Sequence, residues 1–488
     1  MTLPQKGFRM INGLDRFPWL LAIFCSLLPV DRANGLQDQP RQDQWPQFRG
    51  LAANLTGDGL QLPISWNVAD HLKWAAEIPG RGWSSPIITN EKVFITSVIS
   101  DREMKPAQTG TQYSNEYVAE LAAQGLSAEE INRKVQERDF ESPGGLNASY
   151  VLFCLDLTSG RELWRREYFL GEPPGGCHRK NSFASETPVT DGRRIYVYAA
   201  NLGLFAYDLE GELVWKQPLS NQPIYLDFGT GSSPVLVEDR LIIQHDNEAQ
   251  STITAYDSAT GKLIWESARG QFEEGERPAQ ASAWTTPLVW KHESRCEIVT
   301  IGPGRLVSYD LEGNELWRMK GMRPGPAASP VAEGERLIIN AGAPFPVYAI
   351  QPGGTGDISL DRGESSNQFV QWSRPRSSTY IPTPLIYQNG IYLLGDNGIL
   401  TRLDLQTGEE TFKKRVRGSG ADFTSSPWAY DNHIYLASEQ GEIFVITSGP
   451  EYQLVQTIPI GEMMMASPAM VPGTLILRTE KRILAIGN

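Results

Sequence analysis

The run HDNE, His245–Glu248, places three oxygen-bearing side chains side by side. Asp246, Asn247 and Glu248 are ligand types that suit Ca²⁺. Consecutive residues rarely all turn toward one ion, and no companion ligand set is evident, so a polar turn is the expectation. His71, His178, His245, His292 and His433 show no zinc-type spacing. No G-x-S-x-G, P-loop or dinucleotide fingerprint occurs in a strand-to-helix context. A second group is basic. Arg81, His178, Arg179, Lys180, Arg323, Arg374, Arg376 and Arg417 fall in segments that link repeated units, opposed there by Glu186, Asp227 and Asp422. If these cations converge, they form a basic mouth that attracts a carboxylate, a phosphate or an acidic peptide, with arginine offering bidentate contacts. The alternative is that they wet the loops or pair with loop carboxylates.

Charge and address narrow the classes. The 488 residues carry 44 Lys and Arg against 57 Asp and Glu, a net charge of −13. That balance excludes a general nucleic-acid coat, which needs clustered cations. Lys6, Arg9 and Arg16 precede an apolar run from Phe17 to Val30, and small residues follow at Ala33 and Gly35. The run is short and holds Pro18 and Pro29, so it reads as an export signal cleaved near Gly35 and not as a spanning helix. An uncleaved anchor is the alternative. Cys154, Cys177 and Cys296 would remain, too few and too scattered for a disulfide framework. Cys177 is a bystander thiol in a loop, and Cys154 a small packed residue.

The elements that must position these groups come from a repeat. Four segments share one form: CLDLTSGRELW (Cys154–Trp164), AYDLEGELVW (Ala206–Trp215), AYDSATGKLIW (Ala255–Trp265) and SYDLEGNELW (Ser308–Trp317). A Ser or Thr followed by Pro opens each unit, at Pro86, Pro188, Pro234, Pro287, Pro330, Pro384, Pro427 and Pro468. Spacings run from 41 to 54 residues, except for 102 between Pro86 and Pro188, where an insertion lies. Such periods, with several short strands per unit, indicate propeller blades.

The unit that opens at Pro234 shows the logic. Strand A is expected over Pro234–Val237, B over Arg240–His245, C over Thr252–Tyr256 and D over Lys262–Glu266. An Asp before the C-to-D turn can accept backbone N–H groups, and the turn glycine accepts positive φ. The Trp that follows is a flat apolar plate, expected to dock on the neighbouring blade and to contribute about 2–3 kcal/mol when well buried. Many parallel copies of this Asp cannot all be catalytic, so it is a turn residue. The eighth unit stops after strand C. Its missing strand is expected from HLKWAAEI, which carries Trp74, so that both chain ends build one sheet and hide its edges. Phe412 replaces the Trp in blade 6, blade 5 has a long C-to-D loop over 352–367, and blade 7 lacks the Asp-Gly-Trp pattern.

These Ser-Ser-Pro openings and Asp–Gly–Trp hairpins resemble the PQQ-like propeller repeat family over nearly all of residues 45–488. WPQFRG (Trp45–Gly50) and IPGRGWSSP (Ile78–Pro86) are similar to exported bacterial members. The resemblance implies an all-β, eight-bladed β-propeller of four-stranded blades. The same repeat builds quinone-dependent dehydrogenases and the non-catalytic propeller subunit of the outer-membrane β-barrel assembly machinery, so it does not by itself imply an enzyme. The expected organisation is a signal peptide over 1–35, an extended segment over 36–70 and the propeller over 71–488, with a helical insertion over 100–148 in blade 1. Within that insertion Ser127 and Glu130 form a capping box.

Strand direction alternates in each blade, so the D-to-A and B-to-C connections share one face, which carries the insertion and the basic residues. The expected function is an exported, periplasmic and non-catalytic propeller, monomeric, that binds an envelope protein or an anionic ligand there. The expected site is Arg81, His178, Arg179, Lys180, Arg323, Arg374 and Arg376, with no cofactor. The alternative is a PQQ- and calcium-dependent dehydrogenase. Against it stand the absence of a Cys-Cys pair, which dehydrogenases of that kind often carry, and of a motif around the only base candidates, Asp227, Glu248 and Asp422.

Overall fold

The computed structural model describes residues 43–110, 115–269, 280–416 and 420–488. Contacts divide the chain into Met1–Gln39 and Pro40–Asn488, and all described residues belong to the second unit. The export signal read over 1–35 and Arg417 lie outside the described residues.

Eight antiparallel sheets follow one another along the chain as the blades of a β-propeller. Blade 3 is representative. Its strands run Val235–Val237, Arg240–His245, Thr252–Asp257 and Leu263–Ala268, within a residue or two of the sequence expectation. The eighth sheet is closed by Leu72–Glu77, which pairs antiparallel with Arg482–Ile486 and sets Trp74 opposite Ala485. Head and tail therefore share one blade. Blade 4 departs from four strands. Its outer strand, Glu315–Lys320, accepts a short parallel strand, Gly356–Asp357, from the long blade 5 loop.

The repeated hairpin works as expected, with one refinement. In blade 3, Asp257 Oδ1 accepts the Thr260 N–H at 2.7 Å and the Thr260 hydroxyl at 2.6 Å. The same bonds hold the Asp257 carboxyl below its ordinary range. The turn glycine serves a neighbour as well as the turn. Trp265 lies over Gly313 of blade 4, where a Cβ would come within 2.6 Å of the indole. Its indole N–H donates to the Leu311 carbonyl at 2.9 Å. Trp74, Trp164, Trp215 and Trp372 repeat both contacts on the following blade. Trp317 differs: it rests on Gly354 but donates to the buried carboxylate of Glu297 at 2.7 Å.

Blade 7 lacks the indole, and Gln456 stands at the equivalent register, opposite Val445. Its amide donates at 2.9 Å to the carbonyl of Trp66, a fully buried residue of the N-terminal segment. That segment crosses the end of the ring that carries the A-to-B turns. Trp45 pairs with Ile88 of blade 1, and Pro46 accepts from Thr190 of blade 2. Asn54 brackets Ile386 of blade 6, and Leu55 and Gly57 bond to Ala429 of blade 7. Such long-range backbone pairing satisfies groups that would otherwise be buried alone.

The insertion holds two helices, Asn115–Ala123 and Ala128–Asp139. The capping box is present: Ser127 N–H donates to Glu130 at 2.8 Å and Glu130 N–H to Ser127 Oγ at 3.3 Å. The second helix runs into Phe140–Glu141, which pairs with Cys177–His178 in the blade 1-to-2 connection.

Candidate functional site

A cavity of about 400 Å³ lies on the propeller axis. The Ser or Thr before each blade-opening proline lines it, and all eight are buried. Their role is visible in the hydrogen bonds. The Ser85 N–H donates to the Thr187 hydroxyl (2.9 Å), Thr187 N–H to Ser233 (3.0 Å) and Ser233 N–H to Thr286 (3.0 Å). The series continues through Ser329, Thr383, Ser426 and Ser467 at 2.9–3.3 Å. A residue before proline is held extended, and the proline itself has no N–H to offer. The hydroxyl of the next blade supplies the acceptor that the preceding N–H needs. Where the ring closes from blade 8 to blade 1, Arg478 adds a different clasp. Its guanidinium donates to the Ser84 carbonyl (2.8 Å) and hydroxyl (2.6 Å) and to the Thr96 carbonyl (2.8 Å). Burial pulls its pKa down to about 9.

Phe48 of the crossing segment lines one end of the cavity, with Trp83, Phe228, Trp284, Tyr380 and Met465 as further apolar walls. At the other end the stem of the insertion packs between blades, with Ala107 against Trp83 and Met465. The mouth is braced by charge. Lys180 and Glu439 form a buried ion pair at 2.5 Å that joins the blade 1-to-2 connection to blade 7. Glu439 also accepts from the Thr424 hydroxyl (2.7 Å) and from the Gly110 N–H of the insertion (2.8 Å).

The seven candidate residues divide accordingly. His178 and Lys180 line the cavity. Burial first, and then the cations Arg179, Lys180 and Arg81, pull His178 down to about 4, so at neutral pH it is an uncharged ring beside Phe228. Arg179 is buried and binds Asp139 at 3.2 Å and the Gly110 carbonyl at 3.2 Å, bolting the insertion to the ring. Arg81 donates to the carbonyls of Lys105, Arg179 and Asn181 at 2.7–3.0 Å. Arg323 stacks on Tyr380 with its guanidinium carbon 3.7 Å from the ring centre. Arg374 ends the outer strand of blade 5, 4.0 Å from Glu410 of blade 6. Arg376 is exposed in the following turn with a left-handed φ of 55°. The structure thus brings His178 and Lys180 to the axis, stacks Arg323 on the wall residue Tyr380, uses Arg81 and Arg179 as struts, and leaves Arg374 and Arg376 outside the cavity wall.

The acidic candidates also separate. Asp246 is buried against Arg269 at 2.8 Å. Asn247 caps its own loop through Ala249 and Gln250, and Glu248 accepts from Ala281, Ser282 and the Ser282 hydroxyl. HDNE is a turn whose three side chains serve three different partners. Asp422 bonds Gln440, while Asp227 lines a separate cavity. Among the described residues, no three His, Cys, Asp or Glu side chains converge on a point that could hold a metal ion. Burial pushes the thiols of Cys154 and Cys177 up to about 12, which keeps them protonated and unreactive.

Sequence reading missed the hydroxyl ring, the aromatic wall and Glu439. The ring had a signal, the hydroxyl residue before every blade-opening proline. Glu439 had none, because it lies 259 residues from Lys180.

Fold and channel together define an eight-bladed propeller of the PQQ-like repeat class, with one end crossed by its own N-terminal segment. The chain belongs to the family whose matching model, over residues 148–414, is described as outer membrane protein assembly factor BamB. The outer membrane protein assembly factor BamB of Burkholderia pseudomallei is 24% identical over 200 residues, 39% of this chain and 46% of that protein. The match thus spans about half the length of that relative. Among solved structures, BamB from Moraxella catarrhalis superposes with a TM-score of 0.51 at 11% identity, covering 85% of this chain and 98% of that one. Quinohemoprotein alcohol dehydrogenase from Comamonas testosteroni superposes with a TM-score of 0.57 at 11% identity, covering 91% and 80%. At such identities these two likenesses establish the fold alone.

Proposed function

We propose that this chain is an exported, periplasmic, non-catalytic scaffold, monomeric by itself, that docks an envelope protein on the face carrying the insertion. Family membership supports the assembly role. The observation that carries the reading is how the mouth uses its charges. Arg179 pairs with Asp139, Lys180 with Glu439, and Arg81 with three carbonyls. Groups tied this way give the face a fixed outline. A fixed outline lowers the ordering cost of association. Among the described residues no helix is long and apolar enough to cross a membrane.

The test places a photo-crosslinking residue at Arg133, exposed on the second insertion helix, and separately at Glu210, exposed on the C-to-D turns of the opposite face. The expected result is an adduct with a membrane-protein assembly component from Arg133 and none from Glu210. Adducts from Glu210 alone would overturn the choice of face. Saturable uptake of PQQ with Ca²⁺, with dye-linked alcohol oxidation, would overturn the scaffold reading in favour of the dehydrogenase.

A further inference from the structure

A second cavity, of about 350 Å³, lies on the same face between the blade 1-to-2 and blade 2-to-3 connections. Its volume is within the range of small-ligand sites, about 300–1,000 Å³. Glu186 is in its wall. The residue two before each blade-opening proline is Ser84, Ser232, Thr285, Ala328, Pro382, Ser425 or Ala466 in the other blades, so blade 2 alone places an ionisable group there. Glu186 is 5% exposed and accepts a hydrogen bond from the Thr230 hydroxyl. A buried carboxyl without a cation is costly, and its desolvation pushes Glu186 up to about 7.

A second carboxylate is brought there at some expense in backbone strain. Leu226 and Asp227 are consecutive non-glycine residues with φ of 47° and 60°. A Cβ disfavours this left-handed region, most of all for a side chain such as that of Leu226, and such outliers persist where the surrounding structure demands them. The turn sets the Asp227 carboxylate against Gly175 and Gly176, where a Cβ would lie 2.7 and 2.5 Å from its oxygens. Both carboxylates line the cavity, and among the described residues no Lys, Arg or His does. Tyr150, Tyr168, Tyr198 and Cys177 are the other titratable groups that sense Glu186, all held protonated by burial.

We infer that this cavity binds an alkylammonium group, with Glu186 as its buried counter-ion and the more exposed Asp227 as the second acceptor. A cation entering here compensates a desolvated acid. The ammonium could come from a free amine or from a lysine of a docked protein; the chemistry is the same. The inference stands apart from the scaffold reading, because the cavity can be occupied whether or not a partner docks.

Cadaverine and Nα-acetyl-lysine amide are titrated separately into the intact protein by calorimetry at neutral pH and low salt, with pentanol and glutarate as controls. Saturable one-to-one binding of cadaverine points to a free amine, and binding of the lysine amide to a partner side chain; either supports the site. Glu186→Gln should weaken binding by about tenfold or more, the loss expected when one member of a charge-assisted pair is removed. Asp227→Asn, on the more exposed residue, should weaken it by a smaller factor and guards against a folding defect in the first variant. The inference is overturned if neither amine saturates at tens of millimolar, if glutarate or pentanol binds as well, or if both variants bind like the parent.

Discussion

The seat of Trp265 on Gly313 allows a quantitative test of how the blades are clamped. Gly313→Ala introduces two separate costs. The φ of 82° is left-handed, about 1–2 kcal/mol for a residue with a Cβ. The new methyl would also sit 2.6 Å from the Trp265 ring, an overlap of the kind that costs about 1–3 kcal/mol in a packed site. Trp265→Ala removes a half-buried indole and its hydrogen bond to Leu311. Full burial would make that about 3–5 kcal/mol, so about 2–3 kcal/mol is expected here. In the double variant the overlap has no partner and only the backbone cost remains. The pair should therefore fall short of additivity by about 1–3 kcal/mol. Urea unfolding followed by far-ultraviolet circular dichroism reads this without relying on the indole that is removed. Gly334→Ala is the control: φ is 55° and nothing lies within 4 Å of an added Cβ, so only the backbone cost applies. Additivity within about 0.5 kcal/mol would refute the clamp, as would a Gly334→Ala cost equal to that of Gly313→Ala.

Two further outcomes follow from buried polar groups. Thr187→Val keeps the shape of the channel wall but leaves the Ser85 N–H without its acceptor, so it should destabilise by about 1–3 kcal/mol while Thr187→Ser stays near the parent in the same unfolding assay. Glu186 binds its proton more tightly folded (about 7) than its ordinary value of 4.5, because burial raises it. The stability this contributes is present below pH 4.5 and is lost as pH rises through about 7, a change of about 3 kcal/mol. Glu186→Gln removes it, so the stability difference between variant and parent should shift by that amount in the variant's favour across this window. His178 and His245, pulled down to about 4 by burial, act in the opposite sense on the acid side in both proteins and cancel in the difference. A flat difference would show that Glu186 is hydrated.

Much of the architecture was legible because each blade is a local object. Strands B, C and D of blade 3 are joined by short connections, and the Asp257–Thr260 bonds span three residues. Alternating apolar residues and a turn glycine are enough to specify such a hairpin. The repeat then multiplied that local signal, and the unfinished last unit announced its closure by Trp74. The site was less legible. Arg179 and Lys180 were recognised as cations in a loop, but whether they face solvent or a carboxylate depends on Asp139 and Glu439, which no spacing connects to them. Arg374, two residues from Arg376 in sequence, belongs to an outer strand and a different neighbour.

By itself, then, the amino-acid sequence determined the blade, the count of blades and the indole that clamps each Trp-bearing blade to the next, since these rest on contacts within one repeat or between consecutive ones. Only the tertiary structure decided that the mouth's cations are largely neutralised, that residues 45–57 cross the far end, and that Glu186 and Asp227 line one cavity. Those outcomes depend on ring closure, which brings together groups hundreds of residues apart and sets which charges meet water and which meet each other.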